Sequence, residues 1–149
     1  MAEAPNWQDL KAIPLFSELT ENEIYQVMKL SFEKKYTKDS TLFVEGMAGE
    51  VLYIIKSGAV QIIKKTPQGE MLLSTLGPGE VLGELSLIDD SKRSATARVS
   101  VDSELIVITR KCFSDMLKGD PNITSKLLLH ILKVTASRLR ATDKRLELF

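Results

Sequence analysis

The stretch "GELSLIDDSKRSATA", residues 83–97, decides how the rest of this chain is read. Gly83 and Glu84 open a turn of helix, and a helix start presents unpaired N–H groups and the positive end of the dipole, which suits an anion. Glycine lets the backbone approach a ligand closely. A carboxylate beside an anion would repel it, so Glu84 makes better sense as an acceptor for a ligand hydroxyl. Arg93 supplies a planar fork suited to phosphate, and Ser94 adds a hydroxyl donor next to it. A ligand carrying a phosphate and a hydroxyl a few ångströms apart, such as a ribose phosphate, satisfies both halves. A solvated surface pair is the bland alternative for Glu84 and Arg93.

Outside this stretch the chain changes period twice. Residues 6–31 read as helical: Thr20 with Glu23 makes a capping box, and Ile24, Val27 and Met28 follow at helical spacing. From residue 41 come short β-branched runs, "TLFVEG", "VLYIIKSG", "AVQIIKK", "EMLLSTLGPG", "SATARVS" and "ELIVIT". Turn signals separate them at Gly46, Gly49, Ser57-Gly58, Pro67-Gln68-Gly69 and Gly77-Pro78-Gly79. Many short strands at this spacing predict a sandwich, jelly roll or small barrel. After Thr109 the helical period returns, first in "RKCFSDMLKGD" and then in a long helix from Pro121 to the last residue.

The expected fold class is α+β, mainly β: an antiparallel β-roll or jelly-roll barrel with N-terminal helices, a short helix at residue 84 and a long C-terminal helix. One domain accounts for the 149 residues. Its expected parts are N-terminal helices over 1–36, the roll over 37–109 with 83–97 inside it, and C-terminal helices over 110–149.

Composition removes several function classes. Twenty Lys and Arg offset twenty Asp and Glu, so no overall positive field draws the chain to nucleic acid or an anionic membrane. Cys112 is the only cysteine and His130 the only histidine, which leaves a disulfide framework, an iron–sulfur or haem site, or a His-rich metal pocket without ligands. An enzyme on a cupin-like barrel fails on the same ground. No secretory signal opens the chain, and no run approaches the length of a membrane span. A cytoplasmic, non-enzymatic protein with no cofactor and no metal is the expectation.

The residues 83–97 resemble the phosphate-binding cassette of cyclic-nucleotide-binding domains, the superfamily of the catabolite activator and the protein kinase regulatory subunits. That pattern is Gly-Glu-Leu-small-Leu, a short loop, then Arg-(small or Ser/Thr)-Ala-Thr; Gly83, Glu84, Leu85, Ser86, Leu87, Arg93, Ser94, Ala95 and Thr96 match it. The resemblance extends over roughly residues 12–146. It includes "IPLFSELTENEIYQV", the Phe-x-x-Gly and Tyr-x-Ile-x-x-Gly spacings at Phe43, Gly46, Tyr53, Ile55 and Gly58, and "LGPGEVLGEL".

The resemblance implies a ligand-sensing regulatory module; with no helix-turn-helix pattern in the sequence, a stand-alone module without direct DNA binding is the expectation. Arg93 would bind the cyclic phosphate and Glu84 the ribose 2′-hydroxyl. Backbone amides around Ser86 and Ser94 would complete the cradle, with Gly83, Leu85 and Ala95 beside them. Relatives that prefer cGMP often carry Thr after the arginine, so Ser94 leans to cAMP, with cGMP the alternative. "LKVTASRL" is similar to the stretch of the catabolite activator's dimer helix that touches adenine, which makes Thr135 a candidate for a base contact across a dimer, although Ala136 stands where a Ser is found. The alternative is a degenerate domain acting only in protein–protein contact.

The last helix carries two stripes. Leu128, Leu132, Thr135, Leu139, Thr142, Leu146 and Phe149 recur at coiled-coil spacing, beside Leu127, Ile131, Val134 and Ala141. Two stripes imply two partners, the roll and a second copy, hence a homodimer that signals through this helix to a downstream protein. A single broad face wrapped on the roll is the alternative. His130 and Cys112 read as packing residues, and Trp7 as an anchor for the first helix.

Overall fold

The computed structural model describes residues 7–84 and 91–147, with Trp7 and residues 142–147 as backbone. The expected helix at residue 84, Leu85, Ser86, Leu87, Phe149 and the side chains of Trp7, Thr142 and Leu146 therefore lie outside the described residues. Helix α1 (Trp7–Lys11), a 3-10 turn (Pro14–Phe16) and α2 (Glu21–Leu30) come first. The Thr20 capping box forms as its spacing predicts: Glu23 N donates to Thr20 Oγ1 at 3.2 Å and Thr20 N donates to Glu23 Oε1 at 3.0 Å. The same Glu23 carboxylate accepts from Lys126 Nζ at 2.7 Å, tying α2 to the C-terminal helix. That bond, ahead of the cap, holds the Glu23 carboxyl below its ordinary pKa.

Among the described residues six antiparallel strands follow: β1 (Phe32–Tyr36), β2 (Thr41–Phe43), β3 (Val51–Thr66), β4 (Gly69–Leu76), β5 (Val81–Leu82) and β6 (Thr96–Thr109). Their order is β1-β6-β3-β4, with β2 also on β6 and β5 also on β3. The fold is mainly β, an antiparallel roll between helices. Helix α3 (Arg110–Gly119) starts on a Thr109 cap, and α4 runs Pro121–Glu147. Asp120 Oδ1 accepts the Ile123 N–H at 3.2 Å ahead of α4, where Pro121 costs nothing as the first helical residue. No helix among the described residues is long and apolar enough to cross a membrane.

Three details differ from the sequence-based expectation, each for a local reason. Strand β1 lies inside the span expected to be helical, because "FEKKY" has little apolar signal; it is an edge strand, exposed along most of its length, and lysines suit such an edge. Ser57-Gly58 does not end a strand. It is an irregular stretch within the 16-residue β3, with register shifts on either side. Gly58 has φ 98°, and a Cβ there would come within 2.6 Å of Ser103 Cβ. Ser103 Oγ in turn accepts from Ala59 N at 3.1 Å and donates to Val101 O at 2.7 Å, which carries β6 through a stretch that reads as two strands.

Two apolar clusters hold these layers together. Leu52, Ile54, Ile106 and Ile108 face Phe16, Ile24, Phe113 and Leu127 from the helices, while Tyr53, Ile55, Leu105 and Val107 face the interior of the roll. Both faces of β3 and β6 are covered, which is why "VLYII" is apolar throughout.

Candidate functional site

Gly83, Glu84 and residues 92–95 line a cavity of about 680 Å³ that is bordered also by β2, the β3–β4 hairpin and α4. Arg93 sits at its floor, 7% exposed. Its backbone is held by the 44–50 loop: Arg93 N donates to Met47 O and Gly46 N to Arg93 O, both at 2.8 Å. Its guanidinium lies 4.1 Å from the centre of the Phe43 ring, which stacks in turn on Tyr53 at 6.3 Å. Nη2 donates to Val51 O at 2.7 Å and Nη1 to Gly83 O at 3.4 Å. Nε is buried and has no hydrogen-bond partner. Burial lowers the Arg93 pKa from its ordinary value, against the opposing pull of Tyr53 and Glu84. A buried cation fastened to neutral carbonyls and an aromatic face keeps nearly its full charge for an incoming anion.

Gly83 is glycine for a steric reason. Its φ is 83°, and a Cβ there would stand 2.8 Å from Val51 O and against Arg93 Nη1. The chain must pass this close for its carbonyl to reach the guanidinium.

Glu84 is also buried, at 8% exposed. Its Oε1 accepts from Arg138 Nη1 at 2.6 Å, and Arg138 Nη2 reaches Val81 O at 3.5 Å. The carboxylate expected to meet a ligand hydroxyl is therefore already in contact with α4. Ser94 is exposed and Ala95 buried at the cavity wall; Lys64 Nζ donates to Ser94 O at 3.1 Å, fastening this segment to β3.

The structure thus brings Gly83, Glu84, Arg93, Ser94 and Ala95 to one cavity, whereas Leu85 and Ser86 lie outside the described residues. Thr135 is not among the residues lining it. Its hydroxyl donates to Ile131 O at 2.8 Å, one turn back in its own helix. Arg138 and Ala141 are the α4 residues at the cavity. Arg138 carried a signal in the sequence: it fills the gap between Val134 and Ala141 in the stripe that runs through Leu127 and Ile131. A charged residue in an apolar stripe needs a partner, and Glu84 is that partner. The β4 residues Leu73 and Ser74 also line the cavity, placed there only by the hairpin's pairing.

The chain is 32% identical over 140 residues to the cyclic AMP receptor protein of Thermus thermophilus, covering 93% of this chain and 63% of that protein. It is 35% identical over 112 residues to a CRP-like cAMP-activated global transcriptional regulator of Mycobacterium tuberculosis, covering 74% of this chain and 48% of the relative. The chain therefore spans between about half and two-thirds of the length of these relatives. Among solved structures, a cyclic nucleotide-binding domain from Methylobacillus flagellatus superposes with a TM-score of 0.85 at 26% identity, covering 93% of this chain and 81% of that one. The cAMP co-crystal structure of the Toxoplasma gondii PKA regulatory domain superposes with a TM-score of 0.66 at 29% identity, over 76% of this chain and 46% of that one. Residues 33–120, more than half of the chain, match the family model of the cyclic nucleotide-binding domain, and the chain belongs to that family.

Proposed function

We propose that this chain is a non-enzymatic sensing module that binds cAMP in preference to cGMP and transmits occupancy through α4. The observation that carries the proposal is the buried Arg93, with a partnerless Nε, in one cavity with a carboxylate that α4 already holds. The cyclic phosphate would meet the Arg93 guanidinium and the ribose hydroxyl would donate to Glu84. That hydroxyl must share Glu84 with Arg138 or displace it, so binding changes the free energy of an α4 contact. The names of the Thermus and Toxoplasma proteins, both tied to cAMP, support the choice of ligand.

Calorimetry with the two nucleotides tests the preference. cAMP is expected to bind at least as tightly as cGMP, and Ser94→Thr to raise the relative affinity for cGMP. A wild type preferring cGMP by more than about tenfold overturns the assignment. Hydrogen exchange across α4 is expected to slow when cAMP is added. Protection confined to the roll would leave α4 without a part in signalling.

A homodimer through α4 is part of this proposal. Leu132 and Leu139, seven residues apart on one stripe, are 64% and 60% exposed, while Leu127 and Ile131 are buried against the roll. Leu132→Glu combined with Leu139→Glu should convert a dimer to a folded monomer by light scattering. A wild type that is monomeric at tens of micromolar removes the dimer from the proposal.

A further inference from the structure

A second cavity, of about 170 Å³, borders the same Glu84–Arg138 contact. The two cavities share Glu80, Val81, Glu84 and Arg138, so the ion pair stands as a partition between them. The smaller one is lined by Pro14 of the 3-10 turn, Gly79 and Val81 around the start of β5, and Ile131 and Val134 of α4. It is too small for a nucleotide, so a molecule that fits it differs from the ligand of the larger site.

The polar groups around it are mostly committed. Glu80 Oε2 accepts the Gly77 N–H at 2.7 Å, and Glu84 and Arg138 hold one another. His130 is the remaining polar side chain on the wall. Burial, followed by the nearby Lys133, lowers its pKa from the ordinary value, so its imidazole is neutral at pH 7. With Glu80 bonded to backbone and Glu84 and Arg138 bonded to each other, the wall offers apolar side chains and one neutral hydrogen-bonding group, which matches a ring with a single polar atom. An apolar protein cavity of roughly 150 Å³ is enough to hold a benzene-sized ring.

We propose that this cavity is a second ligand site, for a small neutral aromatic molecule carrying one N–H or O–H directed to His130. The inference goes beyond the cyclic-nucleotide reading and does not require it. A ligand here would press on Ile131, Val134 and Arg138 from the side opposite to a nucleotide, and so would reach the same α4 contact.

The test is a ¹H–¹⁵N NMR titration of the full chain with indole, in the absence of nucleotide. Saturating shifts are expected at the Gly79, Val81, His130 and Val134 amides, with a Kd on the order of 1 mM or below. Val134→Phe, which fills the space, should abolish them. Val134→Leu, a milder change should the larger one not fold, should weaken them several-fold. Absence of saturating shifts overturns the proposal, as does a shift set confined to Gly83, Arg93 and Ser94. Shifts that persist unchanged in a folded Val134 variant overturn it equally. Failure of cAMP to bind in a separate titration would bear on the larger site alone.

Discussion

Arg93→Ala is expected to weaken cAMP binding by about 2–4 kcal/mol, roughly thirty- to a thousandfold. The ligand carries one formal charge on its cyclic phosphate, and Arg93 is the buried cation at the floor of the cavity. Without it the phosphate is left with Lys92, which is exposed, and Arg138, which is engaged with Glu84. The substitution also leaves Val51 O and Gly83 O without their guanidinium donors and uncovers the Phe43 ring. Gly83 lines the cavity and water can enter the space the side chain leaves, so the variant should fold, with a melting temperature lowered by a few degrees. Arg93→Lys should recover part of the affinity, since an ammonium keeps the charge but not the two-pronged geometry. Calorimetry on a variant whose circular dichroism is native checks the expectation. Wild-type affinity in folded Arg93→Ala would reduce Arg93 to a structural residue.

The second large effect is expected at Gly83, and Gly46 supplies its control. Both glycines have left-handed backbones, with φ of 83° and 86°. Any L-residue at either position costs about 1 kcal/mol in strain. The surroundings differ. A Cβ at Gly46 meets nothing within 4 Å, whereas one at Gly83 is 2.8 Å from Val51 O and abuts the Arg93 guanidinium. Gly46→Ala should therefore lose roughly 3 °C in melting temperature and bind cAMP within about threefold of wild type. Gly83→Ala should lose more stability and, by pushing Arg93 off its two carbonyls, at least about tenfold in affinity. Equal affinities for the two variants would mean that the guanidinium does not need its present seat in order to bind.

Glu84 and Arg93 could be found from the chain alone because they fall in one contiguous stretch. A helix-opening Gly-Glu and a nearby Arg are recognisable chemistry before any fold is known. The two-strand appearance of β3 and of β6 misleads because Ser57-Gly58 has the composition of a turn. Only the Ser103 side chain, 44 residues from Ala59, makes that glycine part of a continuous strand. Strand β1 is silent for the opposite reason, since an exposed edge imposes no apolar alternation.

What the sequence by itself determined is the local and the periodic: the Thr20 cap, the mainly β class, the long last helix, and the pairing of a carboxylate with a guanidinium-bearing residue in one short segment. These depend on residues within a few positions of each other, so spacing and residue type carry them. What only the tertiary structure decided is which residue of α4 reaches that segment. The packing of Leu127 and Ile131 against the roll sets the rotation of α4, turning Arg138 onto Glu84 and leaving the Thr135 hydroxyl on its own backbone. A contact 54 positions apart in the chain depends on how two rigid elements dock, and docking is a property of the whole core.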